Sequence, residues 1–483
     1  MNVRAIRYYL GHITWIEAAF MVPALIISLA RGETDSSMAF LKTIGLMGVL
    51  CLALFIKTKN NHSLYAREGL VIVALSWILL SFLGALPFVF SGAAPNFMDA
   101  WFETVSGFTT TGATIFNNVE VLPYGLLYWR SFTHWLGGMG VLVFLLAIVP
   151  LTGYKGASLH VLRAESPGPQ VGKLAPRMRQ SVGILYSIYV GMTVLEVIML
   201  LLGGMPLFDA VTTAFGTAGT GGFSVRNASL AAYDSYYLQT VVSVFMMLFG
   251  VNFTVYFLII MRRLKAALKS EELRLYLLII AAATIVIALN ILPMYGNFFD
   301  ALHHSYFQVS SIITTTGFAT VDFNLWPELS RMLLLLLMII GACAGSTGGG
   351  IKVSRLLISI KTLRSSVKHM VHPRSVSSIK MDGKVVERET VQGIGVFIFA
   401  YIAIIVISVA VIAVDNFSME TNLSAVLACI NNIGPGLDMV GPTGNFAMFS
   451  NFSKFILSID MLLGRLEIFP LLVMLAPSMW KNR

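Results

Sequence analysis

Apolar and polar residues are arranged along this chain in blocks. Residues 70–90, 181–202, 275–292 and 391–414 form long apolar runs, each close to the roughly 20 residues that a helix needs to cross hydrocarbon. Two further helices are predicted ahead of them, at about 12–30 and 38–56. Arg4 and Arg7 precede the first of these. His12 and Glu17 interrupt its apolar stretch, which runs on to Ala30 with no small-residue cleavage site after it. It reads as a retained membrane helix and not as a cleaved leader. Between the long runs lie shorter, less apolar stretches at 96–108, 207–218, 298–313 and 420–431. They are too short to span a bilayer. Each leads to a glycine, and a second apolar run follows.

Those glycines mark an internal repeat. The stretch beginning at Phe102 reads FETVSGFTTTGA and that beginning at Phe307 reads FQVSSIITTTGF. In both, a Thr-Thr-Thr-Gly string ends ten residues after the phenylalanine, at Gly112 and at Gly317. Two weaker copies are TAGTGGFS at 217–224, around Gly222, and INNIGPG at 430–436, around Gly434. The following apolar runs carry glycines of their own, Gly137, Gly250, Gly345 and Gly464. The predicted unit is helix, half-helix, loop, helix, repeated four times. The expected boundaries are a helix pair at 1–66, then repeats at 67–160, 161–266, 267–365 and 366–483. The fold class is an all-α integral membrane protein of about ten transmembrane helices, with four re-entrant half-helices around one pore.

Composition supports a membrane reading. Of 483 residues 57% are hydrophobic and only 12% charged, about half the charged share of a soluble domain. The net charge of +9 does not indicate nucleic acid, because the basic residues lie between the apolar runs and no basic domain with interleaved aromatics is visible. Lys155, Arg163, Lys173, Arg177 and Arg179 fall in 151–180. Arg262, Arg263, Lys265, Lys269 and Arg274 fall in 261–274, and nine more basic residues in 352–388. The loops after the glycines carry few. The basic connections are therefore expected on the cytoplasmic side and the glycine loops on the outer side. The three cysteines, Cys51, Cys343 and Cys429, have no metal-ligand or disulfide spacing and read as small buried hydrophobes.

Non-helical backbone at membrane depth is tolerated where it is packed in protein or lines a watery cavity. Four such segments fit around one axis. Each half-helix would direct the negative end of its dipole toward the centre, and loop carbonyls can replace the water shell of a cation. Glycine suits backbone that must turn its carbonyls inward, and the threonines can add hydroxyl ligands or pack the loop. No carboxylate is read within the four motifs, which favours a carbonyl filter over an acidic ring. The candidate ligand set is Thr110, Thr111 and Gly112; Thr220, Gly221 and Gly222; Thr315, Thr316 and Gly317; and Asn432, Ile433 and Gly434.

The ordered set of four motifs resembles the superfamily of potassium transporters that includes TrkH, KtrB and plant HKT proteins, over essentially the whole chain. The extra N-terminal helix pair is similar to the TrkH branch. In that superfamily glycine at all four filter positions implies preference for K⁺. The resemblance further implies a homodimer in the plasma membrane (the bacterial inner membrane). Its partners would be cytoplasmic TrkA-type regulatory subunits of the RCK kind that bind NAD(H) or ATP/ADP. The basic segments 151–180 and 352–388 are candidate docking surfaces for them. K⁺ is the transported ion, and no organic cofactor is expected in this chain.

Residues 341–350, GACAGSTGGG, break the second helix of repeat three. They read as an intramembrane loop, Gly345, Ser346, Thr347, Gly348, Gly349 and Gly350, that can close the pore, and the resemblance assigns the same role. The string fails as a phosphate loop, since Gly350 is followed by Ile351-Lys352 and a membrane helix precedes it. Arg465 lies inside the last apolar run. It reads as a fixed charge beneath the filter that holds the loop, or else as a structural partner of Glu467 or Asp460. Glu196 and Asn252 are in-span polar residues for helix packing or cavity lining. Asp99, Asp209 and Asp300 read as half-helix N-caps. His303, His304, His369 and His372 lack converging metal partners.

Two rival functions are kept. A carrier coupling K⁺ to H⁺ or Na⁺ would also use broken helices, with Glu196 and Glu467 as its available carboxylates. A membrane enzyme would need a nucleophile–base pair or metal cluster, and no HExxH, GxSxG or paired-acid motif occurs. The chain is not expected to be an enzyme.

Overall fold

A computed structural model describes residues 2–56, 66–140, 178–375 and 378–477. Most of the basic segment 151–180 lies outside these residues. The N-terminal pair is α1 (Val3–Ala30) and α2 (Thr34–Phe55). Repeat one contains α3 (Ala66–Phe90), α4 (Phe97–Phe108) and α5 (Tyr124–Gly138). Repeat two contains α6 (Met178–Leu202), α7 (Leu207–Gly219), α8 (Tyr236–Phe249), α9 (Phe253–Ile260) and the short α10 (Leu264–Leu268). Repeat three contains α11 (Glu271–Tyr295), α12 (Phe298–Ile313), α13 (Glu328–Ile340) and α14 (Val353–Val371). Repeat four opens with a two-stranded hairpin, β1 (Lys380–Met381) and β2 (Lys384–Val385). That repeat contains α15 (Arg388–Ile412), α16 (Met419–Ile430), α17 (Asn451–Arg465) and α18 (Phe469–Leu475).

Six described helices, α1, α2, α3, α6, α11 and α15, are long and apolar enough to cross a membrane. Large apolar side chains such as Leu52, Leu278, Phe399 and Val406 stand exposed on them, as a hydrocarbon surround requires. The half-helices α4, α7, α12 and α16 begin and end within a residue or two of the predicted stretches. Most of their residues are buried.

The second helix of each repeat departs from expectation. A break was expected in repeat three alone, yet among the described residues all four helices end or bend at that level. α5 stops at Gly138, α8 bends by 91° into α9, α13 gives way to the loop at 341, and α17 ends at Arg465 before α18. In repeats one and four the helix ends one residue past a glycine that packs against the half-helix end too closely for a side chain. A Cβ on Gly137 would lie 1.9 Å from the Phe108 carbonyl oxygen, and one on Gly464 1.9 Å from that of Ile430.

The repeats close into a ring. α5 packs on α7, α8 on α12, α13 on α16, and α17 returns to α4. Each second helix thus covers the half-helix of the next repeat, and the fourth covers the first. α1 packs on α2, α3 and α5 at the edge of repeat one. The three cysteines are free and buried.

Candidate functional site

All four half-helices end in the same way. Thr110, Thr220, Thr315 and Asn432 take left-handed backbone, with φ of 57°, 55°, 59° and 56°. The next residue's N–H then reaches back to the last turn: Thr111 to Ser106 O (2.8 Å), Gly221 to Gly216 O (2.9 Å), Thr316 to Ser311 O (2.8 Å) and Ile433 to Ala428 O (2.9 Å). This is the Schellman end of a helix, built in three of the four on a threonine, which resists it, and in the fourth on Asn432, which tolerates it. A β-branched residue held there costs about 1–3 kcal/mol, tolerable only where the surroundings fix it. Two residues further, Gly112, Gly222, Gly317 and Gly434 have φ of 83°, 75°, 85° and 95°.

These glycines face one another around a circle. A Cβ on Gly112 would lie 2.0 Å from the Gly221 carbonyl oxygen, on Gly222 2.0 Å from that of Thr316, and on Gly317 2.1 Å from that of Ile433. On Gly434 it would lie 2.6 Å from the Thr111 carbonyl oxygen. Repeat one meets two, two meets three, three meets four and four meets one. All four glycines line one open cavity. Both backbone conformation and space exclude a side chain at these positions.

The threonine hydroxyls pack the loops. Thr109 Oγ1 donates to Val105 O (2.6 Å) and pairs with Thr111 Oγ1 (2.8 Å), and Thr314 Oγ1 does the same with Ser310 O (2.6 Å) and Thr316 Oγ1 (2.8 Å). Asn432 Nδ2 donates to Thr111 Oγ1 across the seam between repeats four and one, and to Met461 O. The backbone carbonyls remain as the ring's common feature.

Two expectations need correction. The first motif does contain a carboxylate, Glu103, but its bonds hold the loop behind the ring. Glu103 is buried, accepts from Arg130 Nε (2.6 Å) and caps the Ile115 N–H (2.9 Å). Arg130 also donates to Ser224 O of repeat two (2.9 Å) and covers the Phe223 ring. Nor are Asp99, Asp209 and Asp300 the caps. Asn96 and Asn297 supply the capping oxygens of α4 and α12, Ser418 that of α16, and Pro206 precedes α7 with none. The acids tie elements together instead. Asp99 pairs with Lys454 of repeat four (2.6 Å, both buried), and Asp300 accepts from Tyr236 of repeat two (2.8 Å). Asp209 is held within its own repeat by Arg226 and Tyr233.

Beneath the ring lies the segment 341–352. Gly349 N–H donates to Thr315 Oγ1 (2.7 Å). A Cβ on Gly348 would fall 2.8 Å from the Thr314 carbonyl oxygen, and on Gly349 2.1 Å from that of Asn431. Arg465 donates to Thr347 O of this loop (3.0 Å), to Gly138 O (2.9 Å) and Gly137 O of repeat one, and to Thr110 Oγ1 (3.3 Å). Glu467 is bound by Arg355, and Asp460 accepts from Ser408 (2.8 Å). The structure thus brings the sequence-predicted filter residues, loop and Arg465 into one column.

Other candidates fall outside it. His303 Nε2 bonds Gln239 (2.7 Å) and His304 Nδ1 bonds Thr320 (3.2 Å), and the described residues hold no metal-binding cluster. Glu196 is buried beside Thr217 of α7. Asn252 caps α9 at the bend. A buried histidine was also missed. His134 of α5 is buried, bonds Gly107 O through Nδ1 (2.8 Å) and stacks on Phe223 at 4.1 Å, filling the space left by Gly221. A lone histidine in an apolar run was its only signal.

Known proteins share this arrangement. The model of the TrkH family, a cation transport protein, matches residues 36–482. The Trk system potassium uptake protein TrkH of Salmonella typhimurium is 36% identical over 495 residues, covering 100% of each chain. The Trk system potassium uptake protein TrkG of Escherichia coli is 33% identical over 489 residues, covering 100% of this chain and 99% of its own. The crystal structure of the potassium transporter TrkH from Vibrio parahaemolyticus matches with a TM-score of 0.89 at 33% identity, covering 100% of both chains. These relatives are named as transport proteins and not as enzymes. On the match across nearly its full length, the chain belongs to the TrkH family of cation transport proteins.

Proposed function

We propose that this chain is the membrane subunit of a potassium uptake system, conducting K⁺ through the ring of four glycine loops. The observation that carries this reading is the closed circle of contacts, in which each glycine abuts the carbonyl of the following repeat. Four half-helices presenting their C-terminal ends stabilise a cation at the centre, and carbonyl oxygens replace its hydration shell. The names of relatives alike over the full chain support K⁺ as the ion. The loop 341–352 and Arg465, packed against the underside of the ring, act as the gate. In this reading the subunit works as a homodimer with cytoplasmic TrkA-type subunits that bind NAD(H) or ATP/ADP. Residues 352–388, which include α14 and the β1–β2 hairpin, are one docking surface, and 151–180, mostly outside the described residues, the other.

The test is cation flux into proteoliposomes holding this chain alone, under a set membrane potential. Downhill K⁺ and Rb⁺ flux faster than Na⁺ and Li⁺, without a second ion gradient, is the expected result. Flux that requires an H⁺ or Na⁺ gradient would replace the conduit with coupled symport. Glu196 would then be the first residue to mutate, because Glu467 is already engaged by Arg355.

A further inference from the structure

The neck of the 341–352 loop is narrow. Ile351 N–H donates to Ile339 O (3.1 Å), Lys352 N–H to Ile340 O (2.9 Å) and Val353 N–H to Ala342 O (3.0 Å), so chain enters and leaves side by side. One carboxylate spans that neck. Glu272, in the first turn of α11 and 1% exposed, accepts from Ala344 N–H (2.7 Å) on the entering side and from Ser354 N–H (3.2 Å) on the leaving side, both at Oε1. Its other oxygen accepts from Asn252 Nδ2 (3.5 Å), at the bend between α8 and α9. That bend also bonds the loop directly, through Cys343 N–H to Gly250 O (3.1 Å) and Phe253 N–H to Gly345 O (3.0 Å). Glu272 was not among the residues singled out from the sequence.

We propose that Glu272 is the positioning residue of the gate, a clamp that holds both ends of the loop in place beneath the filter. The inference rests on the reading of 341–352 as a gate. A buried carboxylate needs hydrogen-bond donors, and here one is the loop amide of Ala344 and another the amide of Ser354, in the first turn of α14 just past the loop, so its satisfaction and the placement of the loop's two ends are one event. The bonds are charge-assisted, about twice as strong as neutral ones. The helix start favours the negative charge at that position. Glu271, its neighbour, contacts Lys361 and the Asp382 N–H instead of the loop.

Basal K⁺ flux through the full chain in proteoliposomes tests this, with Glu272→Ala, Glu272→Gln, Asn252→Ala and Glu271→Gln beside a deletion of 345–350. Glu272→Ala is expected to raise flux about tenfold, the scale of one lost charge-assisted bond. Glu272→Gln keeps an acceptor at the neck, and should raise it less. Asn252→Ala should raise it least, and Glu271→Gln should leave it unchanged. The K⁺/Na⁺ ratio should stay fixed throughout, a pattern that general loosening of the fold would not give. If Glu272→Ala misfolds, the Gln and Asn252 variants carry the test. Unchanged flux in the folded Glu272 variants, while the deletion raises it, would overturn the clamp and leave the gate. An equal rise in Glu271→Gln would also overturn it. A deletion without effect would remove the gate itself.

Discussion

The four repeats are nearly interchangeable at the glycine ring and unlike one another just below it. In the ring each contributes a left-handed residue, a reach-back hydrogen bond and a glycine at the same offsets. Beneath it, repeat two supplies a 91° bend, repeat three the loop 341–352, and repeat four Arg465 and a second short helix. A site that replaces a hydration shell needs equal ligands from every side. A gate needs one element able to move against three that stay. On the proposed reading, symmetry serves the filter and its loss serves the gate.

The comparison can be strained at several points. The largest effect should come from the buried pair Asp99–Lys454, which closes the seam between repeats four and one. Asp99→Ala leaves a buried ammonium uncompensated and should cost about 3–5 kcal/mol, seen as a lower thermal midpoint in detergent with the K⁺/Na⁺ ratio intact in the protein that survives. Next is the asymmetric level itself. Deleting 345–350 should raise basal flux about a hundredfold, the change from a mostly closed to a mostly open population. Arg465→Ala, which frees Thr347 O and Gly138 O, should raise it less, and flux at or below wild type in both would leave the loop a mere spacer.

The smallest effect concerns the outer rim. Hydroxyls of Ser418 and Thr421 hold the exposed Asp438 carboxyl below its ordinary range. A depressed folded value stabilises the protein above the unfolded pKa of about 3.9. That contribution is lost as pH falls further, through the folded value. Acid melting should show a slight extra loss there that Asp438→Asn removes.

The glycine ring was legible because Thr109–Gly112 and Thr314–Gly317 spell the same word, and two weaker copies then share its surroundings. The half-helix ends followed from the same strings. What joins the repeats was not legible. Lys454 reaches Asp99 across 355 positions and Asn432 reaches Thr111 across 321, and no local pattern encodes such pairs. The acids at half-helix starts fitted a capping rule that Asn96 and Asn297 satisfy instead. The bend after α8 was hidden because the run is equally apolar on both sides of Gly250. Apolar pattern reports burial or lipid contact, and is silent on direction.

The most direct test replaces each ring glycine with serine in turn, Gly112, Gly222, Gly317 and Gly434, and measures the K⁺/Na⁺ flux ratio in proteoliposomes. If the four loops form one filter, every replacement lowers the ratio, Gly434→Ser least because its Cβ has the most room, while the loop deletion changes rate and leaves the ratio. A ratio unchanged at any of the four, or one that moves with the loop deletion alone, would contradict the ring.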